Sequence, residues 1–229
     1  MPDFTYAQIA KMIDHSLLQP QLTDAELVAG CMLARENDVA SVCIKPYAVP
    51  LARDLLAGST VAVSTTIGFP HGGHSTPMKM AEAVEATLDG ALELDMVVNI
   101  GKVLSKDWDY VREDIRSVVE IAHGRNALVK VIFENCFLQD EQKEMLCQIC
   151  GEVNADFVKT STGYGSTGVT DADLTLMRRH SPATVQVKAA GGVRTFDRLL
   201  EVRALGVTRV GATATKAILD ACRASLEQG

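Results

Sequence analysis

Short runs of aliphatic and β-branched residues recur from one end of the chain to the other. Between them lie segments whose apolar positions fall three and four apart. The runs are "KMIDH" (11–15), "VASVCIK" (39–45), "VAVSTTIGF" (61–69), "ALELDMVVN" (91–99), "ALVKVIFE" (127–134), "ADFVKTS" (155–161), "TVQVKAA" (184–190) and "VTRVGAT" (207–213). Strand-length runs alternating with helical patterns predict a parallel α/β architecture. The helical segments carry their own punctuation. Thr23 with Glu26 makes a capping box, Thr76 followed by Pro77 opens the next helix, and Gly90 closes it. Thr170 with Asp173, and Thr195 before "FDRLLEVRALG", repeat the device. A further helix near residues 5–10, with Thr5 and Gln8 again box-like, precedes the first run and is expected to cover the bottom of a barrel.

Lys130 to Lys159 is 29 residues and Lys159 to Lys188 is another 29, about the length of one strand, one three-turn helix and two short loops. Other pairs depart from this: Cys43 to Thr66 is 23 and Asp95 to Lys130 is 35, so the regularity is one of unit size. Eight β/α units in 229 residues, without a Gly/Ser/Pro-rich linker, predict a single domain over 1–229. Its expected fold is an α/β, (β/α)8 TIM barrel with an extra N-terminal helix.

Side chains alternate along a strand, which sorts each run into two faces. In "ALELDMVVN", Leu92, Leu94, Met96 and Val98 form the face toward the helices and leave Glu93 and Asp95 pointing inward. In "LVKVIFE" the outward Val129, Val131 and Phe133 leave Lys130 and Glu134 inside. The same sorting turns Cys43, Lys45, Lys159, Gln186 and Lys188 to the lumen, with Asp14 beside them. The expected inward charges are Lys45, Lys130, Lys159 and Lys188 against Asp14, Glu93, Asp95 and Glu134. Set against one another, such groups form an ion network. Lys130, with Glu93 or Glu134 in reach, reads as part of it. Lys159 and Lys188 lie near the C-terminal ends of their strands, the face on which such barrels keep their active sites.

Composition narrows the class. A net charge of −7 disfavours electrostatic binding of nucleic acid. No apolar run approaches the ~20 residues of a membrane span. "MPDFTYAQIAKMID" has no basic segment leading into an apolar one, so a cytoplasmic location is expected. Cys147 and Cys150 form a C-x-x-C, but "DEQKEMLCQICGEV" is helical and no second pair follows, so they read as packed helical cysteines.

A free lysine, with pKa ~10.4, is protonated at neutral pH and is no nucleophile. Desolvation and a second cation nearby can lower it, giving an amine that forms a Schiff base with a substrate carbonyl. Lys159 and Lys188 on neighbouring strands provide that pairing, and Asp95 can move protons. Three consecutive loops, "STGYGSTG", "AAGGVRT" and "GATAT", have the glycines that let backbone N–H groups approach an anion. His71 and His74 in "GFPHGGHST" would need a third ligand to hold zinc. A pyridoxal-phosphate enzyme is open on these residues, though no motif supports it. So are a lysine-dependent aldolase of other phosphorylated or non-phosphorylated sugars, and a non-catalytic phosphosugar-binding barrel whose lysines are structural.

Taken together, the motifs resemble the deoxyribose-phosphate aldolase family of class I aldolases. The similarity rests on "IDHSLL" (13–18), "VCIKPYAV" (42–49), "TTIGFPHG" (65–72), "GALELDMVVNIG" (90–101), "VKVIFE" (129–134), "ADFVKTSTG" (155–163), "VKAAGGVRT" (187–195) and "RVGAT" (209–213), in family order. The resemblance implies a Schiff base on Lys159, with Lys188 depressing its pKa and Asp95 in proton relay. Asp14 and Cys43 would line the site, and Gly163, Gly191, Gly192, Gly211 and Thr213 fall at phosphate-binding positions. The implied reaction is the reversible cleavage of 2-deoxy-D-ribose 5-phosphate to D-glyceraldehyde 3-phosphate and acetaldehyde, in the salvage of sugar from deoxynucleosides. It implies no cofactor and no metal, no nucleic-acid or membrane partner, and a homo-oligomer (dimer or tetramer). Lys45 stands where many relatives carry asparagine, Thr213 and Ala214 stand where paired serines are common, and the chain ends "SLEQG" where some members end in a site-reaching tyrosine.

Overall fold

The computed structural model describes residues 4–228. Eight parallel strands follow one another around a closed barrel: β1 (Ile13–Leu17), β2 (Ser41–Ile44), β3 (Ala62–Ile67), β4 (Glu93–Val97), β5 (Leu128–Ile132), β6 (Phe157–Lys159), β7 (Gln186–Ala190) and β8 (Arg209–Ala212), which pairs with β1. This is the (β/α)8 barrel expected. After a short leading helix, α1 (Tyr6–Ala10), the outer ring comprises α2 (Asp24–Glu36), α3 (Val49–Leu56), α4 (Thr76–Asp89), α5 (Ile100–Leu104), α6 (Trp108–His123), α7 (Asp140–Glu152), α8 (Asp171–His180), α9 (Phe196–Ala204) and α10 (Thr215–Gln228).

The capping boxes of Thr5 with Gln8 and Thr23 with Glu26 both form, and Thr170 and Thr195 accept from the backbone N–H groups of Asp173 and Arg198. Gly90 ends α4 in the left-handed conformation, at φ 113°. The N-cap of α4 is Ser75, one residue before the expected start, which frees the Thr76 hydroxyl to donate to Asp114 at 2.8 Å. The first strand begins two residues later than "KMIDH" suggests. Lys11 instead closes α1 and sends its ammonium to Asp38 (2.8 Å) and the Thr60 hydroxyl (2.7 Å) at the lower end of the barrel. There α1 buries Ile9 and Ala10 and packs against α10.

The outward strand faces make the apolar core. Leu94, Met96, Val129, Val131, Val158, Val187 and Val210 are fully buried against the helices. Each such side chain contributes roughly 1.5–3 kcal/mol relative to exposure. Cys147 and Cys150 are fully buried thiols on α7, packed as expected.

The helical shell also holds a fully buried ion pair. Lys79 of α4 and Asp114 of α6 are essentially inaccessible and meet at 2.5 Å. Lys79 also donates to the carbonyl of Val97 at the end of β4, at 2.9 Å. Two helices and a strand end are thereby tied at one point. Removing one partner of such a pair leaves the other buried and unbalanced, which typically costs about 3–5 kcal/mol. Lys79→Met is expected to lower the unfolding free energy by that amount in urea titration, whereas Lys79→Met with Asp114→Leu should recover most of it.

Candidate active site

The lumen holds a compact set of charges. Register sets Asp95 opposite Lys130, Lys159 opposite Lys188, and Lys188 opposite Arg209. Lys130 contacts Glu93 at 2.6 Å, Asp95 at 2.8 Å and Asp14 at 3.4 Å. Lys188 contacts Asp14 at 2.5 Å and Asp95 at 2.7 Å. Arg209 contacts Asp14 at 2.6 Å and Glu93 at 2.9 Å. Among the described residues, Lys159 reaches only the carboxylate of Asp95, at 2.6 Å, through the same Oδ2 that Lys188 uses.

Burial alone would neutralise these groups, and the pairings decide otherwise. Burial opposes ionisation of Asp14 and Asp95, but the surrounding cations hold both far below the usual carboxylate range. Burial likewise works against the charge on Lys130, Lys188 and Arg209, and their carboxylates outweigh it, raising all three. Lys159 is the exception. Burial, with the Lys188 ammonium adding to it, pushes its pKa below that of an ordinary lysine against the pull of Asp95. The Cys43 thiol lies 4.0 Å from Asp95 Oδ2, and burial and that carboxylate raise its pKa.

Above this floor opens a cavity of about 500 Å³. Asp14, Cys43, Lys159 and Lys188 line its base, and Gly163, Gly191, Gly192, Gly211 and Thr213 line its wall. Asp95 lies beneath, fully buried. The loops after β6 and β7 are clasped together: Val169 N–H donates to Gly191 O at 2.8 Å, and a Cβ on Gly168 would come within 1.8 Å of that oxygen. Only glycine fits there. Gly191 and Gly192 adopt φ of 82° and 123°, the region that favours glycine.

Three residues expected in the lumen lie elsewhere. β2 ends at Ile44, so Lys45 leaves the barrel and donates to the carbonyl of Leu22 at 3.0 Å. Glu134 does not meet Lys130. β5 ends at Ile132 and Glu134 turns left-handed (φ 56°), so its carboxylate accepts from the Thr162 N–H and hydroxyl in the loop after β6. Gln186 shares a face with Lys188 but sits at the exposed lower end, bonded to Thr208 at 2.7 Å. His74 pairs with Glu82 at 2.8 Å. Helices run back toward the lower end of the barrel, where Arg223 of α10 meets the Tyr6 hydroxyl at 2.7 Å, so the last turns of α10 lie away from the mouth. The final glycine is outside the described residues.

Arg209 is the charged lumen residue that strand sorting passed over. β8 was not sorted into faces, and in the barrel register Arg209 stands opposite the inward Lys188. Tyr164 is a second addition. It stands at the mouth, donating to the carbonyl of Leu18 at 3.0 Å and packing edge-on against Phe69.

An amine of lowered basicity at the floor of a glycine-walled cavity, on the C-terminal face of a barrel, suits Schiff-base chemistry. The model of the DeoC/LacD family aldolases matches residues 8–220, and the chain belongs to that family. It is 57% identical over 226 residues to the deoxyribose-phosphate aldolase of Rhodopirellula baltica, covering 99% of this chain and 94% of that one. It is 44% identical to the enzyme of the same name from Thermococcus kodakarensis, over 93% and 96% of the two chains. Among solved structures, the tetrameric deoxyribose phosphate aldolase of Aeropyrum pernix superposes with a TM-score of 0.89 at 26% identity, over 96% of this chain and 93% of that one.

One buried histidine braces the wall of the site. His15 Nδ1 shares a 2.8 Å hydrogen bond with the hydroxyl of Thr215, the first residue of α10 and two beyond Thr213. Burial pushes the His15 pKa down from 6.5 to about 4. A base depressed in the folded state binds its proton more readily when unfolded. Its contribution is therefore present above pH 6.5 and lost as pH falls toward 4. The stability difference between wild type and His15→Gln should shrink by about 2–3 kcal/mol between pH 7.5 and 4.5 in denaturant titrations. An equal difference at both pH values would mean that His15 is not held neutral.

Proposed function

We propose that this protein reversibly cleaves 2-deoxy-D-ribose 5-phosphate to D-glyceraldehyde 3-phosphate and acetaldehyde through a Schiff base on Lys159. The observation that carries the reading is that Lys159 alone among the lumen cations has its pKa lowered, while it lines a cavity open to substrate. Its uncharged amine attacks the aldehyde carbon of the open-chain sugar, and loss of water gives an iminium. A water held by Asp95 and the Lys188 ammonium takes the proton of the carbon 3 hydroxyl and passes it to the Asp95 carboxylate. The bond between carbons 2 and 3 breaks, its electron pair moves toward the iminium nitrogen, and carbon 3 leaves as the aldehyde of glyceraldehyde 3-phosphate. The remaining enamine is protonated at carbon 2 and hydrolysed to acetaldehyde, which frees Lys159.

The 5-phosphate is assigned to the wall formed by Gly163, Gly191, Gly192, Gly211 and Thr213, whose loops offer backbone N–H groups and lead into α10. Asp14 and Cys43 shape the floor, and no metal or cofactor takes part. Residues 1–229 act as one catalytic domain. A homo-oligomer is part of this reading, supported by the relative described as tetrameric. So is a cytoplasmic setting, supported by six cysteines without a disulfide. Among the described residues no helix is long and apolar enough to cross a membrane.

Borohydride reduction with acetaldehyde should leave an ethyl group on Lys159, located by peptide mass spectrometry. An adduct at another lysine, or none, would refute the reading. Lys188→Leu removes a cation beside Lys159, so the acid limb of the kcat/KM profile should move upward. Turnover near neutral pH should fall by about 10²-fold or more. An unmoved limb would deny Lys188 its role as tuner.

A further inference from the structure

Among the described residues, the barrel interior sets Lys130, Lys159, Lys188 and Arg209 against only Asp14, Glu93 and Asp95. Glu134 does not enter the balance, because its carboxylate is turned to Thr162. Lys45 is outside the lumen on the Leu22 carbonyl. Cys43 supplies a thiol, and His15 faces away from the lumen toward Thr215. Four cationic side chains thus meet three carboxylates. We infer that Arg209 is a positioning residue for the reaction: by occupying Asp14 and Glu93 with a permanent charge, it leaves Lys159 as the cation without a carboxylate of its own.

The geometry gives Arg209 this effect without contact with substrate. It reaches the lower side of Asp14 through Oδ1, while Lys188 takes Oδ2 of the same carboxylate. It also shares Glu93 with Lys130. Both carboxylates deep in the barrel are shared between Arg209 and lysines in this way. Asp95 alone is left to serve three lysines: Lys130 on Oδ1, and Lys159 and Lys188 together on Oδ2. A guanidinium cannot shed its proton, so the surplus must be resolved at a lysine. Lys130 and Lys188 each hold a second carboxylate, and Lys159 does not. The Phe157 ring, with the guanidinium carbon 5.2 Å from its centroid, packs beside Arg209.

This inference rests on Lys159 being the Schiff-base lysine, and its test separates the two claims. The position of the acid limb of kcat/KM should follow the net charge of the lumen, not the identity of any one residue. Arg209→Gln should move the limb upward by about one pH unit, the effect of one charge two strand spacings away. Arg209→Lys, which keeps the charge, should leave it near the wild-type position. Glu93→Gln should move it downward, and Glu93→Gln with Arg209→Gln should bring it back. If Arg209→Gln does not fold, Glu93→Gln and the double variant carry the same test. Borohydride trapping on each variant reports the labelled lysine. Label at Lys159 with a limb that stays put across the series overturns the role of Arg209 alone. Label at another lysine overturns it together with the proposed mechanism.

Discussion

The uneven meeting of charges inside the barrel governs the rest of the molecule. A buried ion without partners is expensive, whereas a buried ion among hydrogen-bonded opposite charges can persist. Asp14 and Asp95 are held ionised by the lysines around them, and Lys130, Lys188 and Arg209 are held protonated by two or three carboxylates each. Lys159 shares a single carboxylate oxygen with Lys188. It is therefore the point at which the network releases its excess. A lysine becomes a nucleophile here because its neighbours are satisfied first.

That arrangement is useful only if the cavity above it is equally fixed, and the loops show how this is done. Wall segments are braced by residues from other β/α units. Glu134, beyond β5, holds the Thr162 backbone in the loop after β6, and the Tyr164 N–H in turn donates to the Thr162 hydroxyl at 3.0 Å. The β6 and β7 loops close on each other through Val169 and Gly191. His15 of β1 holds the start of α10 after β8. Closure of the barrel makes this cross-bracing possible, since β1 and β8 are neighbours only in a closed sheet.

The lysines were legible in the sequence because strand alternation is a backbone property: Lys159 and Lys188 each interrupt an apolar run at inward parity. The glycines were legible for a related reason, since a positive φ or a close approach leaves few other choices. What the alternation could not supply was where each strand stops. β2 ends before Lys45 and β5 ends before Glu134, and past the end of a strand the period of two no longer holds. Arg209 was missed for a different reason. It opens the short β8 from the lower end, and its long side chain reaches Asp14 and Glu93 in the lumen. Alternation alone gives it an inward face, but its partner Asp14 lies 195 residues away and is met only because β1 closes against β8.

Buried ion networks are poor sources of stability, since apolar residues of similar volume often do as well or better. The fold must therefore draw its stability from elsewhere, and each strand divides the work between its two faces. The outward residues of β4 to β8 are aliphatic and fully buried, and they hold the helices on. The inward residues are thereby released from packing the barrel with hydrocarbon. An apolar lumen would leave Lys159 without the carboxylate that orients it and without the cations that keep Asp95 ionised. Charge in this interior makes sense as the environment of one amine, tolerated because the other face of every strand keeps the barrel closed.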